Sequence, residues 1–447
     1  MVHLSSSVVI LSVTIISLLC SCGRAFAPRS VAVGSSIICK NIVLLSSSSS
    51  LSVSPVSSTI ATTTTALNAK EKKKRPLVLL TFDLDDTLYP IAPVIEEANT
   101  AFAKAMERFG YGGIQPNDID ETSKQIRAEM DPQQAAALSH TEARELAIRR
   151  RMEEVLLKRK LEETAKDWVT AVDDLSPVVV ENARKWTARA VSPSIVQAVL
   201  GAWEMERHHA AERHLYPEIV EVLAEIQETH PHVIIGAVTD GKANPMLMTF
   251  TLAPYFDFCM SWEDDQKGRS QFFKDLASSN TAAQLSWIYN AAVEKGSELA
   301  AAQAAIKSAK HNAGDGDEDG NGCDFEKGVW IHVGDDLAYD VGGSANCGAK
   351  TILCELADEF QQSARLRFGG GGGDDDDDSQ RVIPSWSTST TPELETRKTM
   401  NDKARSKVTE TINFPRELPD AINRIVDAAQ EEEIESLLES SKVVAAR

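Results

Sequence analysis

The chain of 447 residues carries 46 lysines and arginines against 66 aspartates and glutamates, a formal net charge of −20 at pH 7. Because residues 1–70 contain four basic residues and no acidic one, the rest of the chain has a formal charge of −24. A body this acidic repels nucleic acids and anionic membrane surfaces, so we predict neither as a general partner.

The first 70 residues have the composition of targeting sequences. Residues 8–20 form a mostly apolar run with the length of a signal-peptide core, too short to cross a bilayer, which predicts a signal peptide over residues 1–25. Residues 26–70 are rich in Ser and Thr and lack acids, as in a disordered transit peptide. The tandem resembles the bipartite plastid presequence of algae. It implies a plastid (chloroplast) protein without stable membrane association after processing; the alternative is a secretory signal followed by a disordered linker.

A buried strand and a helical insertion follow. Residues 76–82 form an almost unbroken apolar run, which is typical of a central strand in a parallel sheet. Between residues 91 and 214 the apolar side chains are spaced as in helices, without a convincing strand. We therefore predict an all-helical cap domain over residues 91–214, inserted into an α/β core formed by residues 76–90 and 215–425.

After residue 215, strands alternate with helices. This alternation predicts a doubly wound parallel α/β sheet with its ligand at the carboxyl ends of the strands. Residues 312–328 and 369–378 are rich in Gly, Asp and Asn and are predicted to be disordered loops, and residues 426–447 a C-terminal helix or tail. The predicted elements are the helices 218–227, 246–252, 287–293 and 418–425 and the strands 233–238, 256–260, 329–333, 350–354 and 411–414.

Two carboxylates stand directly after the first strand. Asp83 is the first residue beyond the apolar run, and Asp85 lies two residues later. Such a pair suits covalent phosphoryl transfer, in which one carboxylate attacks phosphorus while the other protonates the leaving oxygen and later deprotonates water. By itself, this short Asp-rich segment is equally typical of a cap or a structural turn.

The chain resembles the haloacid dehalogenase superfamily in three segments, each at the end of a predicted strand. Residues 83–87 match an apolar strand followed by DxDxT. Residues 239–241 match a strand ending in Thr, and residues 334–340 match Gly-Asp with another Asp a few residues later. The helical insertion resembles the cap found in one branch of that superfamily.

The resemblance implies the catalytic and metal-binding residues. Asp83 is implied as the nucleophile and a metal ligand, and Asp85 as the general acid and base that also offers its backbone carbonyl to the metal. Asp335 is implied as a further metal ligand, supported by Asp340. Carboxylate and carbonyl oxygens form the ligand shell that Mg²⁺ prefers, so Mg²⁺ is the expected cofactor.

The resemblance also implies a phosphate site. The hydroxyl of Thr239 and the backbone N–H groups of Asp240 and Gly241 would bind the phosphoryl oxygens. The third motif of the superfamily supplies a lysine, usually followed by proline, and this chain departs from that pattern. Lys267 lies near the expected place without the proline, and Lys274 is the second candidate.

The resemblance implies hydrolysis of a small phosphorylated metabolite. Because residues 83–90 look like the start of capped nucleotidase-type members of the superfamily, the expected substrate is a nucleotide or another small soluble phosphate monoester. A phosphomutase and a binding protein that has lost catalysis are the alternatives. For the other prominent side chains we expect structural roles. Trp203 and Tyr216 are expected to pack at the cap hinge, and Asp86 to shape the loop after the first strand.

Overall fold

The computed structural model describes residues 75–131, 134–135, 138–264, 286–312, 325–363 and 399–445. Several predictions from the sequence fall outside these residues. They are the targeting segments over residues 1–70, the loop 369–378, most of the loop 312–328, and the candidate lysines Lys267 and Lys274.

Six parallel strands form one sheet. They are β1 (Leu77–Phe82), β2 (Ile234–Thr239), β3 (Phe258–Ser261), β4 (Val329–Gly334), β5 (Lys350–Cys354) and β6 (Glu410–Ile412). Their order in the sheet is β3-β2-β1-β4-β5-β6. Since every neighbouring pair is parallel, the carboxyl ends of all six strands lie at the same end of the sheet.

Helices cover the sheet and form the insertion. In chain order they are α1 (Ile91–Arg108), α2 (Asp118–Glu129), α3 (His140–Asp167), α4 (Pro177–Ala190), α5 (Pro193–Arg213), α6 (Ile219–Thr229), α7 (Ser286–Asn312), α8 (Gly342–Asn346) and α9 (Leu418–Ala445). None of these helices is long and apolar enough to span a membrane.

The sheet is buried on both faces because its central strands lack a polar face. All six residues of β1 and all six of β2 are buried. Leu80 and Phe82 belong to an apolar cluster with α6 and α9, whereas Leu79 belongs to a second cluster with Ile288 and Tyr289 of α7. Helices on both faces of a parallel sheet confirm the predicted α/β fold.

The segment between β1 and β2 contains helices α1 to α5. Helices α1, α2, α3 and α5 share a core of their own, which includes Phe102, Ile148 and Trp203. Helix α3 starts at a capping box, in which Ser139 Oγ accepts from the N–H of Glu142 at 3.0 Å and the Glu142 carboxylate accepts from the N–H of Ser139 at 2.8 Å.

The helix predicted over residues 246–252 was wrong. Residues 245–247 form one 3-10 turn, and residues 249–255 form irregular turns. The N–H of Phe250 donates to a carboxylate oxygen of Glu212 at 2.8 Å in place of a helical carbonyl. The Phe250 side chain is 89% exposed, so the apolar spacing at this point does not mark a buried helix face.

Some predicted boundaries also differ from the structure. Helix α7 continues to Asn312 through an alanine-rich stretch of high helix propensity, and α9 extends beyond residue 425 to Ala445. Phe325–Lys327 forms a 3-10 turn within the segment predicted to be disordered. The reason is that Phe325 packs against the apolar cluster under α7.

Candidate active site

Three carboxylates meet at the carboxyl ends of β1 and β4. Asp83 follows β1, and Asp335 and Asp340 follow β4. One oxygen of each carboxylate lies within 4.8 Å of the others. The N–H of Asp83 donates to the carbonyl of Val333 at 2.9 Å, which fixes the two strand ends against each other. The structure thus brings together three aspartates that are up to 257 positions apart in the chain.

Asp340 is held from behind by hydrogen bonds. Its Oδ2 accepts from the N–H of Asp336 at 2.9 Å. The Tyr289 hydroxyl donates to its Oδ1 at 3.2 Å, and Nε2 of His332 lies 3.4 Å from the same oxygen. Nδ1 of His332 is in turn 2.8 Å from the Thr81 hydroxyl. These contacts leave the Asp340 carboxylate little freedom, as expected for a group that orients a metal site.

Gly334 allows Asp340 to lie against the end of β4. A Cβ at position 334 would be 2.2 Å from Oδ2 of Asp340 and 2.5 Å from its Cβ, so the neighbouring side chain would have to move. Close packing therefore favours glycine at position 334, directly before Asp335.

We expect Gly334→Ala to lower the free energy of unfolding by about 1–3 kcal/mol, because the added methyl group displaces a fixed, buried carboxylate. The same displacement should weaken divalent-ion binding. Urea unfolding and titration calorimetry with Mg²⁺ measure the two effects. Gly201→Ala in α5 is the control, since an added Cβ there meets no atom within 4 Å. Equal behaviour of the two variants would contradict the described packing.

The loop after β1 is fixed by Asp86. Its backbone is left-handed, with φ 60°, and its side chain is buried. Its carboxylate accepts from the N–H of Ile91 at 3.0 Å and from the N–H of Ser363 at 2.9 Å. The loop is thereby tied to the start of α1 and to the segment after β5, so Asp83 and Asp85 project from a rigid support.

Residues 239–241 lie at the end of β2, beside β1. Thr239 is buried, and the N–H of Gly241 lies 3.4 Å from its Oγ1. Ser261 Oγ donates to the carbonyl of Gly241 at 2.7 Å, which orders the turn. Asp240 is exposed at the same end of the sheet. The structure therefore places Thr239, Asp240 and Gly241 at the same end of the sheet as the acid cluster, whereas the two candidate lysines of the predicted phosphate site lie outside the described residues.

The electrostatics of the cluster favour a bound cation. Burial raises the pKa of Asp83 well above its ordinary value, and the carboxylates of Asp340, Asp335, Asp85 and Asp240 raise it further. Carboxylates at these separations repel one another unless a cation lies between them. A donor set made only of oxygens suits a hard divalent ion, so the residues present fit such an ion.

No protein-family model and no curated protein sequence matches the chain. Solved structures do match it. A 2-haloacid dehalogenase from Pseudomonas syringae pv. Tomato DC3000 is 17% identical, with a TM-score of 0.37, over 78% of this chain and 99% of that one. A phosphonoacetaldehyde hydrolase like protein from Oleispira antarctica is 14% identical, with a TM-score of 0.30, over 80% and 95%. YfnB from Bacillus subtilis, solved bound to magnesium, is 13% identical, with a TM-score of 0.25, over 63% and 89%.

At these identities and TM-scores the similarity says nothing of activity, substrate or cofactor. The fold itself is decided by the sheet order, in which β1 and β4 lie side by side at the centre and carry the clustered aspartates. β2 flanks β1 on the other side and ends in Thr239, and the helical insertion separates β1 from β2. The chain has a haloacid dehalogenase-like fold. The resemblance predicted from the three motifs is confirmed at this level.

The insertion of this haloacid dehalogenase-like fold reaches the acid cluster through Arg207 of α5. Its Nη2 forms a short ion pair with the Asp85 carboxylate, and its guanidinium lies over Gly241. Burial raises the pKa of Asp85, while Arg207 lowers it. Arg207 was missed in the sequence, because it lies 122 residues after Asp85 and no local pattern distinguishes it from the other arginines of the insertion.

Further hydrogen bonds join the insertion to the core, besides the one from Phe250 to Glu212. The N–H of Thr141, at the start of α3, donates to Oε1 of Glu263 at 3.1 Å. Nε2 of His208 accepts from the N–H of Asn244 at 3.1 Å. With the ion pair of Arg207, these contacts hold the insertion against the strand ends.

Proposed function

We propose that the protein is a Mg²⁺-dependent hydrolase of small phosphate monoesters, with Asp83 as the nucleophile and Asp85 as the general acid and base. The observation that carries the proposal is the approach of Asp83, Asp335 and Asp340 to within 4.8 Å of one another at the strand ends. Mg²⁺ bound by Asp83, Asp335 and the backbone carbonyl of Asp85 would offset the negative charge of the carboxylates and the phosphate.

In the first half-reaction a carboxylate oxygen of Asp83 attacks phosphorus. The bond from phosphorus to the alcohol oxygen breaks, and Asp85 donates its proton to that oxygen. In the second half-reaction Asp85 takes a proton from water, whose oxygen attacks phosphorus. The bond from phosphorus to Asp83 then breaks, so inorganic phosphate leaves and the carboxylate is restored.

The environment of Asp85 suits its double role. Burial raises its pKa, which favours the protonated form needed in the first half-reaction, and Arg207 lowers it, which favours the ionised form needed in the second. The hydroxyl of Thr239 and the N–H groups of Asp240 and Gly241 supply the donors that would hold the phosphoryl oxygens.

Phosphorus chemistry accounts for these residues better than dehalogenation does. A halide ion leaves without a proton and without help from a metal, so dehalogenation gives no role to Asp85 or to the cluster around Asp335. A phosphomutase would use the same residues. A binding protein that has lost catalysis would retain the fold without turnover.

The proposal is tested with a panel of phosphate monoesters that includes an aryl phosphate and nucleoside monophosphates. We expect release of inorganic phosphate with Mg²⁺, a loss of about 100-fold or more after chelation, and recovery when Mg²⁺ is added again. No turnover of any ester would contradict the hydrolase and favour a binding protein. Transfer of phosphate to another position of a sugar phosphate, without its release, would favour a mutase.

A further inference from the structure

Two arginines of the insertion share the indole ring of Trp203. The ring is buried and held by a hydrogen bond of 2.9 Å from its Nε1 to Oδ1 of Asn99. The guanidinium carbon of Arg144 lies 4.3 Å from the ring centroid, and that of Arg207 lies 5.9 Å from it. Both cations are therefore positioned by one rigid aromatic surface.

Arg144 is buried without satisfying its hydrogen-bonding capacity. It is 8% exposed, and within the described part of the chain its buried Nε has no hydrogen-bond partner. Its ion pair with Asp120 is long, 3.9 Å from Nε to Oδ1, while Oδ2 of Asp120 accepts from Asn99 at 2.7 Å. Burial lowers the pKa of Arg144. A buried guanidinium with unused donors is costly, which is a reason to expect an anionic ligand.

The position of Arg144 relates it to the leaving group rather than to the transferred phosphate. It lies one helical turn after Thr141, whose N–H donates to Glu263 of the core, so it projects from the end of α3 that faces the core. It also shares Trp203 with Arg207, which contacts Asp85. Since Asp85 protonates the alcohol oxygen, the rest of the alcohol must extend from Asp85 towards the insertion.

Resting on the proposed function, we propose that Arg144, with Arg207 beside it on the Trp203 ring, binds a second anionic group carried by the alcohol part of the substrate. The substrates are then phosphate monoesters whose alcohol bears a carboxylate or a second phosphate. Both groups present paired oxygens that a guanidinium binds through two parallel hydrogen bonds.

The inference is tested by kcat/KM of the full chain, with Mg²⁺, for three esters built on a two-carbon unit: ethyl phosphate, phosphoglycolate and ethylene glycol bisphosphate. We expect the wild type to prefer one or both of the esters that carry a second anionic group. The better of these two substrates shows whether the site binds a carboxylate or a phosphate. Arg144→Met should lower kcat/KM for the preferred ester by about 10- to 100-fold and for ethyl phosphate by less than about threefold.

Two further variants exclude a structural explanation. Arg144→Lys keeps the charge but not the fork of donors, so it should recover part of the preference. Arg150 lies on the same helix and donates hydrogen bonds of 3.0 and 2.6 Å to Glu129. The control variant Arg150→Met should leave kcat/KM for all three esters unchanged. An equal loss for ethyl phosphate in Arg144→Met would overturn the inference, because it would indicate damage to the fold.

A binding measurement separates this inference from the proposed hydrolysis. Calorimetry uses three analogues that cannot be hydrolysed: phosphonoacetate, ethane-1,2-bisphosphonate and ethylphosphonate. The wild type should bind one or both of the analogues with a second anionic group more tightly than ethylphosphonate, and Arg144→Met should show no such preference. If that pattern appears while no ester is hydrolysed, the hydrolase is contradicted and the anion site is supported. If the preference is missing from the wild type or survives in Arg144→Met, the anion site is overturned.

Discussion

Asp83→Asn is expected to lower kcat for every hydrolysed ester by about 10⁴-fold or more, because an amide cannot form the aspartyl phosphate. The variant should nevertheless fold at least as well as the wild type when divalent ions are chelated. In the wild type, burial and four neighbouring carboxylates raise the pKa of Asp83, so removing its charge relieves repulsion. Steady-state rates with Mg²⁺ test the loss of activity, and urea unfolding in the presence of a chelator tests the stability.

The control for this variant is Asp420→Asn, which changes an exposed aspartate in the first turn of α9. It should leave the rates unchanged and lower the free energy of unfolding by less than about 1 kcal/mol. Residual activity above about one per cent of the wild type in Asp83→Asn would place the nucleophile elsewhere. Lower stability with normal activity would show that the Asp83 carboxylate is a structural group.

Asp85→Asn is expected to act differently on the two half-reactions. With an alkyl phosphate, the alcohol leaves poorly without a proton, so turnover should fall by about 10²- to 10⁴-fold. With nitrophenyl phosphate, nitrophenolate leaves without protonation and only the hydrolysis of the aspartyl phosphate is slowed. Stopped-flow absorbance should then show a burst of nitrophenol, stoichiometric with the enzyme, followed by slow turnover. No burst is expected for Asp83→Asn.

The Asp85→Asn variant also leaves the buried Arg207 guanidinium without its carboxylate, which destabilises the fold. The double variant Asp85→Asn with Arg207→Met removes both partners of the ion pair, so it should recover stability and keep the burst. A burst that is absent from both variants, with Asp83 intact, would exclude Asp85 as the base that activates water in the second half-reaction.

The strands and the acid cluster were predictable from the sequence for local reasons. A strand buried on both faces needs an unbroken apolar run, and such runs are visible before Asp83, Thr239 and Asp335. Parallel strands bring their carboxyl ends to one end of the sheet, which explains why these residues meet. The segment 246–252 shows the limit of this reasoning, because apolar spacing alone does not reveal that Glu212 takes the N–H of Phe250.

The sequence by itself therefore determined which residues stand at the strand ends, since the periodicity that forms a strand and the polar residue that ends it are adjacent in the chain. Only the tertiary structure decided which residues from distant parts of the chain approach these strand ends. Tyr289 behind Asp340, and Arg144 and Arg207 on Trp203, are placed by the packing of whole helices against the sheet and against one another. Such packing depends on contacts between distant segments, and no short stretch of sequence records it.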